Sequence, residues 1–371
     1  MGSGMQQHGW LRVFLASLLI LLAAVVLGGC KQVQQVQEVL HNSQPPAVSR
    51  GERLIAYEQG GNIWTIEATG DGAQQVNKTG NLMLGSWAPE ASKMAVLSGI
   101  NQNGEWVTGN AGVLDLNGNL QPVMGPQGAI TIEPGEASWL DSNSLVLGGL
   151  GAIWVARLDG SQYRATALYT AKHENSEQVW HPKAVPGGSL VSFWVTSTEG
   201  TEGDVTARLV IAPVAGGQAT TIFSQTILAS GQAPVDAIWA PDGRYILIYA
   251  EPTSGGNPWW MLDRTKGSKK QVLSADAGDV QWLPGDQLIY APQAQLQVPK
   301  YALLDAATGE SKPFIAIPSW VNWLQVASDN RLLLARATGD NSINWDYYVA
   351  AADGSNVKKI ITAAGDAAWQ P

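Results

Sequence analysis

The 371-residue sequence predicts an all-β fold: a seven-bladed β-propeller of four-stranded blades, closed by pairing of its N- and C-terminal strands in one blade. Three observations predict it. Trp87-Ala88-Pro89, Trp239-Ala240-Pro241-Asp242-Gly243, Trp282-Leu283-Pro284-Gly285 and Trp369-Gln370-Pro371 repeat one short phrase. Trp87, Trp139, Trp180, Trp239, Trp282, Trp323 and Trp369 recur at spacings of 52, 41, 59, 43, 41 and 46 residues, near the length of a propeller blade. The two ends are also complementary. Arg53-Leu54-Ile55-Ala56-Tyr57 is the apolar run that should follow such a phrase, and Trp369-Gln370-Pro371 is a phrase with no run after it.

Within each blade the Trp ends a strand, because a following Pro lacks the N–H that a ladder needs. A turn and an apolar run of four or five residues come next, as in Lys93-Met94-Ala95-Val96-Leu97, Arg244-Tyr245-Ile246-Leu247-Ile248 and Arg331-Leu332-Leu333-Leu334. Runs this short between turn residues read as buried strands. A third strand then enters a Gly turn, as in Asn62-Ile63-Trp64-Thr65-Ile66 before Gly70-Asp71-Gly72 and Ala152-Ile153-Trp154-Val155 before Asp159-Gly160. Such turns supply the positive φ of tight hairpins and lead to the fourth strand. Gly148-Gly149-Leu150-Gly151 opens no helix and reads as a loop.

These phrases resemble the TolB-type propeller repeat, a WD-repeat-like family of bacterial periplasmic and surface proteins. The resemblance spans about residues 53–371 and is sharpest at Trp87–Leu97 and Trp239–Ile248. It implies a propeller with an extracytoplasmic address. TolB itself has six blades and a further N-terminal domain, so its own partner role is not carried over.

The domain organisation follows. Residues 1–29 read as a lipoprotein signal peptide, residues 30–50 as a lipidated Cys and flexible tether, and residues 51–371 as the propeller. Val13 to Leu27 is a mostly apolar stretch of 15 residues, short for a membrane span of roughly 20. Leu27-Gly28-Gly29-Cys30 resembles a bacterial lipobox, which implies that Cys30, the sole cysteine, carries a lipid on the extracytoplasmic side of a membrane. Removing Arg12, the one basic residue before Cys30, leaves 21 basic against 31 acidic residues and moves the formal charge from −9 to −10. That balance opposes nucleic acid as a partner.

Long connections, Ser98–Ala111, Gly125–Gly135, Thr170–Gln178, Thr196–Thr206 and Phe223–Val235, gather on one face, where function concentrates. Glu136, Glu177, Asp236, Asp279 and Asp366 stand three residues before a strand-ending Trp and should border one mouth of the channel. Two readings remain open for them: caps for backbone N–H groups of a neighbouring blade, or a docking ring for a cation or basic group. Trp106 and Trp345, out of phase with the repeat, fall in loops of the same face and offer stacking surfaces. His181-Pro182 reads as a variant of the Trp-x-Pro punctuation, and His173-Glu174 as a loop pair.

Catalytic motifs are scarce: no Gly-x-Ser-x-Gly, no His-Glu-x-x-His and no phosphate-binding Gly loop occurs. The leading expectation is therefore a non-enzymatic envelope lipoprotein that binds a protein or glycan on the long-loop face, with no metal and no cofactor. The alternative is a propeller-fold glycan-active hydrolase or lyase with carboxylates at the channel mouth. A third reading is a purely structural or chaperone-like role. Convergence of two or more of the five acids with a Tyr, His or Arg around one pocket separates the enzyme from the others.

Overall fold

Antiparallel strands, most of them buried on both faces, make up the architecture. The computed structural model describes residues 53–370 except 78–79, 104–105, 150, 173–175, 199–203, 229–234, 251–257, 284, 294–299, 315–316, 319, 339–343 and 352–353. These belong to one compact unit, 47–371. The signal, the tether and Cys30, as well as His173-Glu174, lie outside the described residues.

One four-stranded sheet joins Gln74–Gln75, Asn62–Glu67 and Leu54–Gln59 to Ala367–Trp369, so strands from the two ends of the sequence are neighbours. Their register pairs Ile55 with Trp369 and Ala56 with Ala368. A ten-stranded sheet contains two antiparallel groups, Leu82–Trp87 to Leu120–Gly125 and Ala137–Asp141 to Gln162–Thr170. A short parallel contact, Tyr163 with Val123 and Arg164 with Met124, connects them. Four further four-stranded sheets begin with Gln178–Ala184, Val235–Trp239, Gly278–Leu283 and Trp323–Val326.

Alternation along each strand sends its two faces into two different cores. Ile55 and Tyr57 pack with Leu333, Ala335 and Tyr347, while Ala56 packs with Leu82, Met94 and Val96. Leu145 and Leu147 join one cluster and Val146 another, with Val191 and Phe193. Each Val, Leu, Ile, Met or Phe among them contributes about 1.5–3 kcal/mol on burial. Sheet after sheet is thus packed face to face.

Polar bonds fix the stacking in one of two ways. At three junctions the Trp near the end of a sheet's first strand reaches back with its indole N–H to a carbonyl of the preceding sheet: Trp87 to Ala368 O at 3.1 Å, Trp139 to Ser86 O at 3.0 Å, Trp282 to Ile238 O at 2.9 Å. Elsewhere a side chain of the preceding sheet takes the backbone N–H instead: Ser138 from Ala184, Gln281 from Val326, Gln325 from Trp369. Trp239 donates to the Ser192 hydroxyl at 2.7 Å.

This pattern corrects the phase of two repeats. Val185 donates to Leu190 O and Ala327 to Arg331 O, as Ala88 does to Lys93 O and Ala240 to Tyr245 O. The residues equivalent to Trp87 and Trp239 are therefore Ala184 and Val326, not Trp180 and Trp323. The Ser138 and Gln281 bonds to these same two residues agree. Corrected spacings are 52, 45, 55, 43, 44 and 43 residues, more even than those of the Trp residues.

Two expected loops are strands. Ser98–Ala111 is largely a long hairpin in which Asn101 pairs with Thr108 and Asn103 with Trp106, so Trp106 opens a strand. β-Branched and aromatic residues at Trp106-Val107-Thr108 favour that extension over a loop. Trp345 likewise opens the strand Trp345–Ala350, half-buried against a core. Gly148-Gly149 closes the strand Ser144–Gly149, with Gly148 paired to Ile153.

Candidate functional site

With the phase corrected, the position three residues before the end of each first strand is occupied by Leu84, Glu136, His181, Asp236, Asp279, Trp323 and Asp366. Four of the five predicted acids are there. Glu177 is not, since it belongs four residues upstream of His181. Three of these positions break the acidic pattern, Leu84, His181 and Trp323; Leu84 and Trp323 line one of two cavities, and His181 is bound to Glu136, which lines the other.

The first cavity, about 630 Å³, is lined by Glu133, Glu136, Gly148, Glu177, Gln178 and Trp180 among others. Glu136 is buried at 4% exposure, and its carboxylate holds His181 from three directions. The His181 backbone N–H donates to Oε1 and Oε2 at 3.0 and 2.9 Å, and Nδ1 lies 2.8 Å from Oε1. The backbone makes this possible. His181 sits at a β-bulge between Trp180 and Lys183 with φ of +50°, a left-handed conformation uncommon outside Gly, Asn and Asp. Gly148 supplies the room, because a Cβ there would collide with Glu136 Oε2 and approach Pro182 Cδ to 2.9 Å.

Burial pulls the His181 imidazole down, yet the hydrogen bond and charge of Glu136, joined by the charge of Asp236, leave it above its ordinary value. Nδ1–H is committed to Glu136, which leaves Nε2 as the exchangeable nitrogen. Glu133, near the same pair, is held above the ordinary glutamate range by burial and by the charge of Glu136, with His181 opposing. Glu177 is held differently. Lys172 N–H and Tyr169 OH donate to its Oε2, each at 3.0 Å, and Arg208 Nη2 to Oε1 at 2.6 Å. These bonds outweigh burial and lower its carboxyl, making it a fixed anion. The Tyr169 hydroxyl is pushed up to about 12 by burial and by Glu177.

The second cavity, about 470 Å³, is lined by Asp279, Asn322, Trp323, Trp345, Tyr347 and Asp366, with Leu84 at its edge. Asp279 has φ of +49° at a bulge between Gly278 and Gln281, the conformation of its counterpart His181. Burial raises its carboxyl despite a 3.1 Å bond from Tyr301 OH. Desolvation raises Asp366 as well. Beside it, Glu58 is pushed up to about 7 by burial and the Asp366 charge, against the Leu84 N–H that it accepts. Among the described residues, no Lys, Arg or His pairs with any of these three acids.

Of the predicted residues, Glu136 and Glu177 therefore meet at one cavity with His181, Tyr169 and Arg208 attached, and Asp279, Asp366 and Trp345 meet at the other. Asp236 accepts the Ala237 N–H at 2.7 Å and adds its charge to His181. The Trp106 side chain lies outside the described residues. Sequence reasoning missed His181, Glu133 and Trp323. Ala184-Val185-Pro186-Gly187-Gly188, which shares the Pro and the final Gly of Trp239-Ala240-Pro241-Asp242-Gly243, is the signal that could have placed His181 at the repeat position.

No protein-family model matches the chain, and no curated protein matches its sequence. Solved structures do. Oligogalacturonate lyase in complex with manganese shares 14% identity at a TM-score of 0.57, covering 85% of this chain and 86% of that one. Puromycin hydrolase shares 12% at 0.50, covering 89% and 55%. TolB from Acinetobacter baumannii shares 13% at 0.43, covering 91% and 70%. The fold is that of the β-propellers. The expected non-enzymatic scaffold is corrected by these matches, because enzymes share the fold over most of this chain.

Proposed function

We propose that this protein is a glycan-active hydrolase or lyase, built as a closed seven-bladed propeller and tethered through a lipid on Cys30 to the extracytoplasmic side of a bacterial membrane. The pairing of Leu54–Gln59 with Ala367–Trp369 and the succession of sheet-to-sheet bonds support the closed ring. The lipobox-like Leu27-Gly28-Gly29-Cys30 supports the anchor. The observation that carries the activity is the bond between His181 and Glu136, the latter a lining residue of the 630 Å³ cavity.

In this reading His181 Nε2 is the general base. Glu136 fixes the tautomer and stabilises the imidazolium that forms. In elimination the base takes the proton α to a uronate carboxylate, and in hydrolysis it takes one from water. Glu133, raised toward its protonated form, gives a proton to the departing glycosidic oxygen. Glu177 and its Arg208 and Tyr169 partners stiffen the opposite wall. The manganese of the lyase structure finds no matching donor set here: among the described residues no three or more His, Cys, Asp and Glu are grouped to hold a metal. No step above runs through one.

The test is cleavage of a panel of neutral, amino and uronic oligosaccharides, following new reducing ends and the ultraviolet absorbance of an unsaturated product. New ends with absorbance mark a lyase, and ends without it a hydrolase. His181→Ala should lower kcat/KM by about 10²–10⁴-fold. Absence of cleavage across the panel, or cleavage that survives His181→Ala, would falsify the assignment.

A further inference from the structure

The second cavity draws on the same repeat position as the first, but the residue between its two acids is Trp323, the counterpart of the His181 that is bound to the first cavity's Glu136. Its walls combine three aromatic side chains, Trp323, Trp345 and Tyr347, with Asp279 and Asp366. Each half of that combination selects a different part of a ligand. Aromatic faces stack on the apolar face of a sugar ring and attract a cation. Two carboxylates in a partly desolvated space, with no Lys, Arg or His among the described residues to answer them, favour a ligand that brings positive charge. A neutral sugar would leave them desolvated and uncompensated, and a uronate would be repelled. A bare metal ion is not favoured either, since no set of three or more donors is grouped to hold one among the described residues. The volume, about 470 Å³, is in the range of small-ligand pockets.

We infer that this cavity is a binding subsite for amino sugars, with protonated amines met by the Asp279 and Asp366 carboxylates and a ring against Trp323, Trp345 and Tyr347. The inference deepens the glycan reading and rests on it for the ligand's place in a longer chain. It names the substrate class: a glycan carrying free, unacetylated amines. Asp279 is set for this by its left-handed backbone and by the bond that its Oδ2 accepts from Tyr301 OH.

Binding to the full-length His181→Ala protein separates this inference from turnover. By calorimetry, a glucosamine disaccharide should bind at least about tenfold more tightly than its N-acetylated form, and a galacturonate disaccharide should bind more weakly than either. Asp279→Asn with Asp366→Asn should abolish the preference while the thermal midpoint holds. If that double variant fails to fold, Trp345→Leu replaces it and should weaken the amine by a similar factor. Equal affinity for amine and acetamide, preference for the uronate, or a preference that outlives either variant overturns the subsite. Lost cleavage with intact amine binding would sink the catalytic reading alone, and the reverse would sink only this one.

Discussion

The two cavities draw on one repeat position and differ at a single member of each set. Glu136, His181 and Asp236 follow one another at that position in three consecutive sheets, and Asp279, Trp323 and Asp366 do so in three others. In the first set the middle residue is titratable and is held by one flanking acid and charged by the other. In the second the middle residue is aromatic, and its flanking acids find no cation among the described residues. Both sets contain one residue forced to positive φ at a bulge, His181 and Asp279. The repeat therefore fixes where a side chain stands, and the one departure from the repeat fixes its chemistry.

The largest expected effect tests whether the first set depends on its exact packing. Gly148→Ala would place a Cβ against Glu136 Oε2 and force the carboxylate away from His181. Such overpacking costs about 1–3 kcal/mol of stability. Loss of the oriented imidazole should lower kcat/KM on the order of 10²-fold. Gly365 is the matching neighbour of Glu58, where a Cβ would meet Cβ and Oε2 at 3.1 Å, close enough to need only a small shift. Gly365→Ala should cost no more than about tenfold in the same assay. Equal losses in the two variants would erase the proposed difference between the cavities.

A smaller effect separates the two sets by pH. Glu58 is surrounded by the charge of Asp366, the Tyr347 hydroxyl and the Leu84 N–H, and burial with the Asp366 charge lifts its carboxyl from 4.5 to about 7. The folded protein therefore keeps a proton that the unfolded chain releases above about pH 4.5. Glu58's favourable contribution is full below that value and is lost as pH rises through about 7. Glu58→Gln mimics the protonated form at every pH. It should stabilise the protein at pH 8 by about 1–2 kcal/mol, after allowance for solvent screening, and leave it unchanged at pH 4. Glu136→Gln should instead destabilise at pH 8, because Glu136 accepts the His181 N–H with both oxygens. Chemical denaturation at the two pH values reads both variants, and a destabilised Glu58→Gln at pH 8 would remove the contrast.

These differences also show which parts of the molecule were legible in the sequence. The strands, the Gly turns and the meeting of the two ends could be read because each leaves a local mark, such as Trp-Ala-Pro or Asp-Gly. The phase of two sheets could not be read from Trp alone, because Trp180 and Trp323 each precede the true strand end, at Ala184 and Val326. Trp180 bonds to Thr196 in its own sheet, so it has a packing role that the marker count could not distinguish. His181 was hidden for the same reason. Its partner Glu136 is 45 residues earlier and in another sheet, and nothing local announces that bond. Gly148 belongs with it: a strand glycine looked like a loop because the reason for it, the Glu136 carboxylate, arrives from elsewhere.

The smallest effect concerns the junctions themselves. Where an indole reaches the preceding sheet, as Trp139 does to Ser86 O, replacing it with Phe removes one buried hydrogen bond as well as part of the ring packing. Where the junction is held from the backbone, as at Trp369 through Gln325, the same replacement removes packing alone. The packing loss is similar in the two, since Trp139 and Trp369 are 8% and 5% exposed. The difference in unfolding free energy between Trp139→Phe and Trp369→Phe therefore isolates the indole bond, at about 1 kcal/mol. Gln325→Ala supplies the reciprocal: it should cost about as much as the indole bond does, because it leaves the Trp369 N–H without its acceptor. If Trp369→Phe proves the more damaging of the two aromatic variants, the indole N–H there has an acceptor after all, and the contrast between the two kinds of junction is lost.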